Sequence, residues 1–129
     1  MSILSDAYDK FMRERKNAGI EVNYFVISYD RAGQITDEAR EIVINFILDI
    51  RAIPYRCPVA STIFFVSGHS RNDILGFAKD HSSFNTLHSI IIKFDEETNQ
   101  NLFGNENDSL NARFVGEVEQ IMTKRSKQS

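Results

Sequence analysis

Two segments of this chain carry large apolar side chains on consecutive residues: Tyr24-Phe25-Val26-Ile27, followed by Tyr29, and Ile63-Phe64-Phe65-Val66. Both are short and rich in aromatic and β-branched residues, which marks them as strands. Side chains alternate across a strand, so Val22, Tyr24 and Val26 face one way and Phe25, Ile27 and Tyr29 the other. A sheet with helices on one face normally turns a polar second face to water. Here the second face is apolar as well. Something has to cover it, either a terminal helix or a second copy of the chain.

The flanking segments supply the rest of the architecture. Residues 3–18 repeat Leu4, Tyr8 and Phe11 at helical spacing, with Ala7 and Met12 beside them and a glycine stop at Gly19. Thr36 is a good N-cap, and Asp37 and Glu38 suit the positive end of the helix it opens. That helix is predicted to run to about Arg51, with Ala39, Val43, Phe46, Ile47 and Ile50 in one stripe. Pro54 and Pro58 bracket a short edge strand or extended turn over Tyr55–Ala60. Ser70, three residues before Asp73, caps a short helix to about Ser82 in which Ile74, Phe77, Ala78 and His81 share a face. Leu87–Phe94 reads as a strand, with His88, Ile90, Ile92 and Phe94 on one side. Residues 96–108 read as a polar loop, and Asp108 or Ser109 caps a final helix over 109–125 carrying Leu110, Phe114, Val118 and Ile121.

Without the two terminal helices, the order over residues 22–95 is β-α-β-β-α-β, the ferredoxin-like α+β arrangement of two helices on an antiparallel sheet. A three-stranded parallel βαβαβ unit is the competitor. The tight Ser61–Thr62 connection and the short second helix favour the first.

Bulk properties narrow the function classes. A chain of 129 residues, 42% hydrophobic and 26% charged, suits one soluble domain with a core of its own. The longest apolar run, "EIVINFILDI", is interrupted by Asn45 and Asp49, so no membrane partner is expected. The N-terminus lacks the basic start and apolar stretch of a secretory signal, and the single cysteine, Cys57, cannot form an internal disulfide; a cytoplasmic location is expected. A net charge of −3 means that nucleic acid would need a local basic patch or a bridging metal ion. The one basic run is the tail "TKRSKQS", where Lys124, Arg125 and Lys127 read as a frayed, solvated terminus.

Few residues look chemical. There is no glycine-rich phosphate loop, no nucleophile elbow and no pair of cysteines at zinc spacing. His81 and His88 read as ordinary partly buried side chains, and Cys57, between two prolines, as an inert buried thiol. His69, at a strand end beside a helix start, is the more interesting imidazole. Asp30 leaves two readings. It either ties a turn through its own side chain, or it projects from the end of a central strand beside the Thr36 helix start and near the Ser67–Ser70 loop. In the second case two copies packed through the apolar sheet face would bring two carboxylates together. Paired hard oxygens suit Mg²⁺ or Mn²⁺, which would bridge to phosphate and activate water.

The segments "YFVISYD" (24–30), "YRCPVASTIFFV" (55–66), "SRNDILGFAKDH" (70–81) and "LHSIIIKF" (87–94) resemble the CRISPR-associated protein two superfamily, with its SinR-like and virulence-associated protein D relatives. The resemblance implies a ferredoxin-like homodimer whose strand-ending aspartate, here Asp30, faces its twin as a metal-ligand candidate, with Ser61 matching the family's serine. It implies a metal-dependent nuclease or a non-catalytic nucleic-acid scaffold. Family members that grip duplex DNA carry basic residues after that aspartate and on the next helix; this chain has Arg31 and Arg40 but also Asp37, Glu38 and Glu41.

Three functions follow as expectations. One is a homodimer on RNA or DNA, with Asp30 of each subunit on Mg²⁺ or Mn²⁺, Arg31 on phosphate, and Ser61, Ser67, His69 and Arg71 along the rim. The alternative is a non-enzymatic interaction protein such as an immunity protein, antitoxin or inhibitor, suggested by the acidic balance, the incomplete catalytic set and the added terminal helices. The third is a small-molecule sensor with His69 and Tyr29 as polar groups.

Overall fold

The computed structural model describes residues 3–95 and 108–128. The fold is ferredoxin-like α+β: α1 (Ile3–Ala18), β1 (Asn23–Asp30), α2 (Asp37–Asp49), β2 (Ile53–Val59), β3 (Thr62–Ser67), α3 (Arg71–Asp80), a 3₁₀ turn (Phe84–Thr86), β4 (His88–Phe94) and α4 (Asp108–Gln128). The sheet order is β2-β3-β1-β4, and every neighbouring pair is antiparallel. The parallel alternative is thereby excluded. The loop read over 96–108 lies, up to residue 107, outside the described residues.

The predicted caps form where the sequence puts them. The Thr36 hydroxyl accepts from the Ala39 amide at 3.0 Å, and Ser70 from Asp73 at 3.2 Å. Each satisfies a helix-start N–H that has no intrahelical partner. The α2 stripe Ala39, Val43, Phe46 and Ile47 is buried against Phe25, Ile27, Ile63 and Phe65 of the sheet. Phe25 and Phe65 stack at 5.2 Å between ring centres, and Phe46 stacks on Phe84 at 4.2 Å. Phe77 departs from its predicted place on the buried face of α3. It is exposed and meets His69 edge-on, because this short helix buries only Ile74.

The C-terminal helix sits on the same side. Phe114 and Val118 are fully buried in the main core, and the Asn111 side chain accepts from the backbone N–H of Cys57 at 3.0 Å, closing part of the outer edge of β2. The tail is helical to Gln128 and not frayed; Lys124 and Lys127 are exposed as expected, but Arg125 bonds Asp49 at 2.8 Å and the Asn45 side-chain oxygen at 2.7 Å. Two acceptors on α2, one of them a carboxylate, hold this guanidinium by charge-assisted hydrogen bonding.

Two ionic clusters hold the helices together. Arg40, only 3% exposed, donates to Glu117 through Nε (2.8 Å) and Nη2 (2.9 Å) and to Asp37 at 2.7 Å. Arg113 joins Asp37 and Glu117 from the other side. At the far end of α2, Asp49 accepts from both His81 (2.8 Å) and Arg125. Burial raises the Asp49 pKa, but the hydrogen bonds from His81 and Arg125 outweigh it, and the carboxyl is held below its ordinary range.

Removing Arg40 empties a buried site and its charged hydrogen bonds, while Arg113 still faces Asp37 and Glu117. Arg40→Ala should therefore cost about 2–3 kcal/mol in urea unfolding, while Arg113→Ala, at the exposed rim, should cost less than about 1 kcal/mol. For Asp49 the folded-state pKa is depressed, so its stabilisation is present above the unfolded value near 3.8 and fades as pH falls through the folded one. Asp49→Asn should lower the melting temperature at pH 7, and its difference from wild type should shrink below about pH 4.

Candidate functional site: the Asp30 cleft and the open strip of the sheet

The second sheet face is covered only in part. Phe11, with Tyr8 and Met12, packs on Tyr24 and Val66, with Tyr55 and Phe94 around them. Tyr8 meets Tyr55 at 5.4 Å, Phe64 meets Phe94 at 5.5 Å, and the Arg15 guanidinium lies 4.4 Å over the Phe11 ring. The Leu4 amide donates to Glu119 of α4 at 2.8 Å and ties down the start of α1. One of the two covers read from the sequence, a terminal helix, is thus present over this part of the face.

Towards β4 the cover ends. The register puts Val26 opposite Ile92 and Ser28 opposite Ile90, all on the face that α1 shares. Ile92 is 53% exposed and Ile90 63%. They form a strip of apolar surface beside a sheet edge, a feature that marks contact surfaces when it is contiguous.

Asp30 lies at the end of this strip. Its Oδ1 accepts from the Gly33 amide at 3.0 Å and stands 3.2 Å from Nδ1 of His88, its cross-strand neighbour. After it the backbone of Arg31 and Gln34 exchanges two hydrogen bonds, of 2.8 and 3.0 Å, around Ala32 and Gly33, whose φ angles are +53° and +80°. That is a two-residue turn of the I′ type, and the carboxylate braces it. The turn-forming reading of Asp30 is realised in this chain. An open cleft of about 360 Å³ adjoins it, lined by Ser28, Ser61, His88 and Ser89.

The remaining predicted residues fall in two places. Ser61 is on the Asp30 side, and its backbone carbonyl accepts from the Tyr29 amide at 2.9 Å. Arg31 is exposed and bonds Glu38 at 2.8 Å. Ser67, His69 and Arg71 do not approach Asp30. Because β3 runs antiparallel to β1, Ser67 pairs with Asn23, at the opposite end of an eight-residue strand, about 23 Å away. The expected neighbourhood of Asp30 and the Ser67–Ser70 loop is corrected accordingly. Ser67 is buried and accepts from the His69 amide at 3.0 Å, and the His69 carbonyl accepts from Asn23 at 2.8 Å. Those contacts shape a turn.

Two further groups are withdrawn from surface chemistry. Tyr29 is buried and donates its hydroxyl to the Ala60 carbonyl at 2.8 Å; burial raises its pKa beyond the ordinary phenol range. Cys57 is fully buried, and burial pushes its thiol up to about 11, so almost none is thiolate at neutral pH. Arg40, the second basic residue weighed for nucleic-acid contact, is inside the molecule. His88, expected to be an ordinary partly buried side chain, is exposed, and the β1–β4 register, which no local pattern shows, sets it beside Asp30.

No family model, curated protein or solved structure matches this chain. Among the described residues no group of three or more His, Cys, Asp and Glu side chains could hold a metal ion. Asp30 and His88 offer two donors, too few by themselves for the octahedral oxygen shell that Mg²⁺ requires. No described helix is long and apolar enough to cross a membrane.

Ala32 is the strained member of the turn, since a side chain at positive φ costs about 1 kcal/mol that asparagine partly avoids. Ala32→Asn should raise stability by a few tenths to about 1 kcal/mol in denaturant titration, with no change in oligomeric state.

Proposed function

We propose that this chain is a non-catalytic interaction protein that docks a protein partner on the uncovered strip formed by Val26, Ile90 and Ile92. The observation that carries this reading is the half-covered second face: α1 shields the β2 side, while two isoleucines of β4 stay more than half exposed. Three polar groups near the strip support it, because each has a structural task. Asp30 braces a turn, Tyr29 holds the β2–β3 connection and Arg31 is paired with Glu38. A single buried thiol suits a reducing compartment, so the partner is sought in the cytoplasm.

Differential capture tests the reading. Wild-type protein immobilised in cell extract should retain a partner that Ile92→Glu loses and Asp30→Ala keeps. The purified partner should then bind Ile92→Glu at least about tenfold more weakly, the loss of roughly 1.4 kcal/mol expected when a charge enters an apolar contact. Identical retention by wild type and Ile92→Glu would remove the proposal.

A second reading is favoured by the open cleft beside Asp30 and His88. In it the chain is a nucleic-acid-associated homodimer whose two Asp30 carboxylates share Mg²⁺ or Mn²⁺ in phosphodiester hydrolysis, with Arg31 on phosphate. Its mark is cleavage of RNA or DNA that requires the divalent ion and disappears in Asp30→Ala while the fold persists. Wild-type protein that cleaves neither substrate with either ion sinks it.

A further inference from the structure

The two edges of the sheet are treated differently. Edge strand β2 has register shifts between Pro54 and Arg56 and between Arg56 and Val59, contains two prolines and has Asn111 of α4 on its backbone. These are the devices by which edge strands avoid pairing with other chains. Edge strand β4 has none of them: its seven residues, His-Ser-Ile-Ile-Ile-Lys-Phe, hold an unbroken register with β1, include no proline and carry one formal charge, Lys93. Among the described residues no backbone group is bonded to its outer side.

The side chains of β4 are also complementary to themselves. In an antiparallel pair centred on Ile91, Ile90 of one copy stands opposite Ile92 of the other, and Ile91 opposite its twin. Lys93 falls opposite Ser89 and Phe94 opposite His88, so no like charges meet and each apolar residue finds an apolar or aromatic-compatible neighbour. Shifting the register by one residue would not preserve the two-fold pairing of isoleucines.

We infer that two copies of this chain associate through antiparallel β4–β4 pairing centred on Ile91, forming a continuous eight-stranded sheet. The inference rests on the docking reading and deepens it. Pairing places Val26, Ile90 and Ile92 of both copies side by side on one face, and the two α1 helices wall this floor at either side, so the complete docking trough requires both copies. The geometry also separates this dimer from the shared-metal one. The two Asp30 residues would be three strand spacings apart laterally and at opposite ends of the paired β4 strands, more than about 20 Å from each other.

The test combines mass and register. Light scattering of the full chain should give twice the 14.8 kDa monomer mass, and Ile90→Glu/Ile92→Glu, which sets carboxylates opposite one another across the pair, should weaken the dimer at least about tenfold with an unchanged far-ultraviolet dichroism spectrum. Mild oxidation of Ser89→Cys/Lys93→Cys should yield a disulfide-linked dimer, since these positions are four residues apart within one strand and too distant to close on themselves. A monomeric wild-type chain at 100 µM (about 1.5 mg/ml) overturns the inference, and so does a dimer that the cysteine pair fails to link. A monomer that still loses its protein partner on Ile92→Glu would leave the docking reading standing while the paired sheet falls.

Discussion

The centre of this molecule is a pair of strands with no polar side to offer to water. Phe25, Ile27, Ile63 and Phe65 point to the helical layer, while Tyr24, Phe64 and Val66 point away from it, and all seven are buried. Burying a large apolar side chain is worth roughly 1.5–3 kcal/mol, so neither set can be left wet without forfeiting a large part of a domain's net stability. The helical layer of α2, α3 and α4 satisfies one set. The other depends on α1, whose Phe11 sits on Tyr24 and Val66. The terminal helices are thus part of the fold and not appendages to it.

That second cover has a limited reach. One amphipathic helix of 16 residues presents a single stripe, and here the stripe lies over the β2–β3 side of the sheet. The face of β4 beyond it keeps Ile90 and Ile92 in solvent. The same asymmetry governs the edges, where α4 lies along β2 and leaves β4 alone. Coverage on one flank and openness on the other are what the proposed docking at β4 rests on, and the Asp30 cleft lies at one end of the same strip. Near it, Asp30 braces a turn and faces His88, and Arg31 is paired with Glu38.

Charge is arranged in a comparable way. The acidic residues at the start of α2 and along α4 draw Arg40 inward, and Arg125 of the C-terminal run is held by Asp49 and Asn45. A cation that reads from the sequence as available to a phosphate is thereby spent on holding helices together.

The sequence by itself determined the element order, the caps at Thr36 and Ser70, the ferredoxin-like class and the requirement for a second cover. Those features depend on residue types a few positions apart, through helical periodicity, strand alternation and local hydrogen bonds. Only the tertiary structure decided which groups meet. Antiparallel pairing carried Ser67, His69 and Arg71 to the far end of β1 from Asp30 and brought in His88 from 58 residues away. Packing made Arg40 a buried ion-pair partner and Arg125 an anchor, since only the placement of α4 supplies Glu117 to the first and sets the second beside Asp49. Contacts between distant elements are set by register and by burial of the whole molecule, and no window of a few residues contains either.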